Sequence, residues 1–120
     1  MPEAKANLKI TQEGDVHIVE FEDRKILDEL TITQIGEQLT ELVQAHPGIR
    51  LLLNFRNVEH LSSAALGMLI TLERQIKEER GRLKLTDIRP QIFEVFKITR
   101  LNRLFEIHDT AEEAMQSFAK

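Results

Sequence analysis

The sequence predicts an α/β fold, a mixed β-sheet with parallel central strands packed against α-helices, in the order ββαβαβαβα. Three observations predict it. The chain opens with two runs of period two around a glycine turn, it then carries one run apolar on both faces, and from there helical and extended patterns alternate to the end. Strands separated by helices need crossover connections, which suit parallel pairing and are right-handed by default.

Each element follows from local chemistry. Leu8 and Ile10 alternate with Lys9 and Thr11, Gly14-Asp15 turns the chain, and Val16, Ile18 and Glu20 oppose His17, Val19 and Phe21, which predicts an antiparallel hairpin. From Thr31 to about Ala45, Ile32, Ile35, Leu39, Leu42 and Val43 recur at helical offsets, with Thr31 placed to cap the helix and Pro47-Gly48 to stop it. Ile49, Leu51, Leu52, Leu53 and Phe55 form the run apolar on both faces, as expected of a central parallel strand. A long helix is predicted from Ser62 to about Arg80, ended by Gly81. Leu83 and Leu85 alternate with Arg82, Lys84 and Thr86 in a short strand, and Pro90 opens a helix carrying Ile92, Phe93, Val95 and Phe96. Phe105 and Ile107 make the last strand. Thr110, with Glu113 three residues on, opens the last helix as a capping box.

Composition bounds the function. The 120 residues are 42% hydrophobic and 30% charged, enough for one domain over 1–120 with a core from about 8 to 118. A chain of this size buries roughly 65% of the surface its unfolded form exposes. Without Cys there is no disulfide framework, no Cys-based zinc site and no thiolate nucleophile, so the expected location is cytoplasmic. The longest mainly apolar stretch, Ala64 to Ile70, is too short to insert across a membrane, and Met1-Pro2-Glu3-Ala4-Lys5 lacks the apolar core of a signal peptide. A net charge of −4, with six Phe and no Trp or Tyr, argues against nucleic acid as a partner. The charge is uneven: residues 1–59 carry 6 basic and 11 acidic groups, residues 60–120 carry 10 and 9. Arg80, Arg82, Lys84 and Arg89 read as a solvated face.

The usual catalytic constellations are missing. His17, His46, His60 and His108 are scattered with no pair at helical ligand spacing, so neither a metal nor a cofactor is expected. His60 near Ser62 is the one candidate for an activated hydroxyl, but no third group, oxyanion hole or G-x-S-x-G elbow accompanies it. No Gly-rich phosphate loop of the two common types is present.

The informative segment runs from Asn54 to Ile70, joining the buried strand to the longest helix. On that helix Ala65, Leu69, Leu72 and Ile76 form the core stripe, while Ser63, Gly67, Ile70 and Arg74 form a line about 130° away, at or near solvent. Ser62 suits an N-cap, which is the commonest role of serine at a helix start. Ser63 is the alternative, a phosphoacceptor whose dianion the positive helix end would tolerate but a docked partner would not. Gly67 admits two readings, close packing within the fold or close approach of a partner.

The stretch Leu51 to Gly67, a buried strand, a loop and then Ser62-Ser63-Ala64-Ala65-Leu66-Gly67, resembles the signature of STAS domains, the anti-sigma factor antagonists: hydrophobic-Asp-Ser-Ser/Thr-Gly-Leu-Gly. Gly81 to Leu85 is similar to the family's strand after that helix, Ile98 to Phe105 to its T-G-L-x-x-L-F segment, and Glu106 to Met115 to its last strand and helix. The resemblance covers essentially the whole chain and implies a single STAS-like domain that is not an enzyme. It implies a partner switch: an anti-sigma factor or serine kinase binds the unmodified protein, phosphorylation of a serine at the start of the second helix releases it, and a serine phosphatase reverses the change. Aligned on Leu66-Gly67, the acceptor is Ser63, with Ser62 the second candidate, and the partner-binding face is Ser62, Ser63, Gly67, Ile70 and Arg74. Three positions depart from the family pattern: Ser62 stands for Asp, Ala65 for Gly and Arg100 for Gly. The alternative is a constitutive STAS scaffold or accessory subunit of a larger signalling or transport complex, without phosphorylation control. A nucleotide near the loop after Phe55, suggested for the family, has no residue pattern of its own here.

Overall fold

A computed structural model describes residues 7–119; the stretch read for a leader, Met1 to Lys5, lies outside the described residues. The main sheet has five strands in the order β1 (Leu8–Glu13), β2 (Val16–Phe21), β4 (Arg50–Asn54), β6 (Arg82–Thr86) and β7 (Glu106–His108). β1 and β2 form the expected antiparallel hairpin, with Gly14 at φ 60 in its turn, and the other neighbours pair in parallel. A second sheet of two-residue strands, β3 (Lys25–Ile26) and β5 (His60–Leu61), was not predicted.

Helices α1 (Glu29–Ala45) and α2 (Ser63–Glu78) pack together on one face of the sheet. Ile35, Leu39, Leu69 and Ile76 meet Val19, Leu51, Leu53 and Leu85 there in the main core, which also takes Ile92 and Phe96 from α3 (Pro90–Ile98). The opposite face carries α4 (Ala111–Phe118), whose Ala114 and Phe118 cover Val16 and Leu52. Helices on both faces explain why Leu51, Leu52 and Leu53 are all buried in one strand.

Four local expectations change. Asp28, not Thr31, caps α1: its carboxylate accepts the Thr31 N–H at 3.0 Å and hydroxyl at 3.2 Å, so the helix starts earlier, with a full charge at its positive end. Helix α2 stops at Glu78, and the left-handed residue after it is Arg80, φ 63. Gly81 instead donates its N–H to Ile76 O at 2.8 Å, closing a Schellman turn, and it must be bare because a Cβ would lie 2.5 Å from Ile49 O. Arg100 also takes φ 63, so the turn in which the family has Gly forms with an arginine. Finally, Lys84, read as part of a solvated face, is buried, because α4 brings Ser117 and Phe118 over it on β6.

Candidate functional site

The start of α2 is held in place from its N-terminal side. Besides the β3–β5 pairing, Glu59 and His60 donate backbone N–H groups to Arg24 O at 2.7 and 3.1 Å, and Ser62 donates its N–H to Ile26 O at 3.1 Å. Ser62 has extended backbone, and its Oγ accepts the Ala65 N–H at 3.1 Å, which makes it the cap. Ser63 is the first helical residue and is exposed, its hydroxyl engaged by no neighbour among the described residues. The two adjacent serines therefore differ: one hydroxyl is committed to the helix and the other points to no internal task.

Gly67 lies one turn on, exposed, and a Cβ built there meets nothing within 4 Å. The fold thus does not require a glycine at this position, and close packing within the chain does not account for it. Arg74 is exposed on the same line, while Ile70 is half-buried and packs against the main core. Ala65 is fully buried, so the methyl that replaces the family's glycine points into the core and leaves the outer face unchanged.

Two grooves flank this turn. One, of about 550 Å³, separates α1 from α2 and is floored by Ile32, Met68 and Leu72, with Gly36 and Gly67 facing it from opposite helices and Glu37 on its rim. The other, of about 320 Å³, lies towards α3 between Leu27, Leu66 and Val95, with His60 on its wall. No hydrogen bond joins His60 to either serine among the described residues, so the activated-hydroxyl reading finds no support in geometry. His17 and His46, far apart in sequence, meet with ring centroids 4.4 Å apart, and burial first, then the neighbouring His46, holds His17 below the usual histidine range. Among the described residues no three His, Cys, Asp or Glu side chains group as a metal site.

A second polar cluster sits on the other face of the sheet. Lys84, wholly buried, donates to Ser117 Oγ and lies 2.8 Å from Glu106 Oε2, which also meets His108 Nε2 at 2.8 Å. The Lys84 ammonium stands 4.4 Å from the centre of the Phe118 ring. Burial pushes the Glu106 carboxyl up, but hydrogen bonds from Lys84 and His108, with the charges of both, outweigh this and bring it down to about 2. Alternation along β6 marked Lys84 as solvent-facing. Only the presence of a helix over that face, which the strand's own pattern does not encode, buries it.

The STAS domain model matches residues 7–114 of the chain. The chain belongs to the STAS domain family. A STAS-domain anti-sigma-factor antagonist protein from Planctomyces limnophilus has the same fold, with a TM-score of 0.83 at 23% identity over 95% of this chain and 98% of that one. The anti-sigma-B factor antagonist of Listeria monocytogenes is 26% identical over 107 residues, covering 89% of this chain and 92% of that protein. The match to BtrV of Bordetella bronchiseptica, 28% identical over 69 residues, spans 58% of this chain and 60% of that protein. Within the STAS pattern, Ser62 replaces the family's aspartate and still caps the helix, without its charge.

Proposed function

We propose that this protein is a non-enzymatic anti-sigma factor antagonist, a partner-binding switch whose binding is set by phosphorylation of Ser63. The observation that carries this reading is the contrast between the two serines: Ser62 caps α2, while Ser63 is exposed and unengaged at the positive end of the same helix. A phosphoryl group on Ser63 leaves every internal hydrogen bond of the turn in place and is favoured by the helix dipole. A partner packed over Ser63 and Gly67 would have to desolvate a dianion, so the modification acts on binding and not on folding. In the transfer, Ser63 Oγ takes the terminal phosphoryl group of the partner kinase's ATP, the hydroxyl proton passes to a base of the kinase, and ADP leaves. The relatives' description as antagonists of anti-sigma factors supports an anti-sigma factor with serine kinase activity as that partner, with a serine phosphatase reversing the step. Ser62, Ser63, Gly67, Ile70 and Arg74 make up the proposed contact face. A cytoplasmic setting fits such partners, and no helix among the described residues is long and apolar enough to cross a membrane.

The test is mass spectrometry of the protein from its native cells, following the tryptic peptide Asn57–Arg74, in which Ser62 and Ser63 are the only serines. Phosphate on Ser63 that varies with growth condition is the expected result. An unmodified peptide under all conditions, with Ser63→Asp still binding the co-purifying partner, would replace the switch with a constitutive binding subunit.

A further inference from the structure

The groove between α1 and α2 reaches the first turn of α2, where Ala64, the residue after Ser63, and Gly67 line it. Its floor is apolar, with Ile32, Met68 and Leu72, and its α1 wall carries Glu37 and Glu41. Both carboxylates are exposed and one helical turn apart, and neither has an ion-pair partner among the described residues. Among the described residues no Lys or Arg lines the groove. Like charges four apart on a helix disfavour it by a few tenths of a kcal/mol, so within the isolated chain this wall costs stability and returns none. Gly67 points the same way. A Cβ on Gly36 would press on Met68 Cγ at 3.2 Å, which gives that glycine a reason inside the fold, but one on Gly67 would meet only open space, and a glycine inside a helix costs about 0.5–1 kcal/mol against alanine. Both keep the walls low where the groove is lined.

We propose that this groove seats an amphipathic helix of the partner protein, its apolar stripe on Ile32, Met68 and Leu72 and its basic flank against Glu37 and Glu41. A helix presents apolar knobs at three- and four-residue spacing and can place two cations one turn apart, which matches the spacing of the two carboxylates. An acidic or neutral helix would leave both carboxylates beside a low-dielectric surface with nothing to pair them. The occupant lies across Gly67, one turn from Ser63, so a phosphoryl group there meets the end of the same bound helix. The proposal deepens the partner-switch reading by giving the partner's chemistry, and the two can fail separately: the peptide titration below says nothing about modification in cells, and an unmodified Ser63 leaves the titration result standing.

The experiment is a titration of the whole ¹⁵N-labelled protein with a model Leu/Lys amphipathic peptide of about 16 residues, long enough to form a helix on binding, beside its Leu/Glu counterpart. The expected result is saturable shifts at Thr33, Gly36, Gly67 and Thr71 with the Lys peptide and none with the Glu peptide. Glu37→Lys with Glu41→Lys, both on the surface, should weaken the Lys peptide roughly tenfold or more and admit the Glu peptide. Gly67→Leu should block the Lys peptide, its fold checked by circular dichroism. Shifts centred elsewhere, equal binding of the two peptides, or indifference to the charge reversal would each overturn the proposal.

Discussion

The start of α2 and the Lys84 cluster are both built from serine and charged side chains, and they are organised in opposite ways. On the α4 face, Lys84, Glu106, Ser117 and His108 partner one another, with the Lys84 ammonium over the Phe118 ring. At the start of α2, Ser63, Gly67 and Arg74 are exposed and serve no evident purpose inside the chain. The difference teaches that polar groups satisfied from within report on folding, whereas polar groups left to water, beside a glycine kept at a cost to the isolated chain, report on what the chain binds. Substitutions in the first region should therefore change stability, and those in the second should change association.

The largest effect is expected at Lys84. Lys84→Ala removes the buried member of a pair whose other member, Glu106, is 43% exposed, and with it the hydrogen bonds of a charged group; it should cost about 2 kcal/mol, read as a lower urea midpoint. If the loss is below about 1 kcal/mol, the cluster is a surface pair and the contrast drawn above collapses. The same cluster predicts an acid limb. Glu106 titrates at about 2 in the folded chain against an ordinary 4.5, so its stabilising contribution is complete above pH 4.5 and is lost as pH falls towards 2. The unfolding free energy of Lys84→Met should decline less over that interval than that of the parent. Ser62→Ala removes the α2 cap and should cost about 1 kcal/mol, with Ser62→Asp restoring it. On the other side of the comparison, Ser63→Asp should leave the melting curve within about 0.5 kcal/mol, and Gly67→Ala should raise stability by about 0.5–1 kcal/mol, while both weaken partner binding. A Gly67→Ala protein that is destabilised would mean the glycine serves the fold after all.

The element order and the sheet class were legible because each main element has its own period: two in the hairpin, helical spacing at Ile32 to Val43, and an unbroken apolar run at Leu51 to Leu53. Thr110 was legible as a cap, accepting the Glu113 N–H at 3.1 Å, although its hydroxyl also donates to the Glu113 carboxylate where a full capping box would have that carboxylate reach back to the backbone. The β3–β5 pair was not legible, since two residues carry no period and the pairing joins segments far apart in the chain. Thr31 and Asp28 are both good caps, and only the geometry chooses between them. Arg80 and Arg100 in the left-handed region contradict propensity, which shows a helix end set by its hydrogen bonds and not by the residue that best fits. At the candidate site the motif and the serine pair were visible from spacing. The groove wall was missed although Gly36 inside a helical pattern, followed by Glu37 and Glu41, was a readable signal.

The α1–α2 groove is fixed at both ends. Near its mouth, β3 and β5 tie the segment entering α1 to the segment entering α2, and further along Thr40 Oγ1 donates to Gln75 Oε1 at 3.1 Å. Two helices tethered at top and bottom cannot spread without breaking one of those ties, so the gap between them acts as a gauge of set width. A visitor that fits needs no rearrangement of its host, which favours quick encounter and leaves the lifetime of the complex, rather than its rate of formation, as the quantity that a single phosphoryl group can shorten.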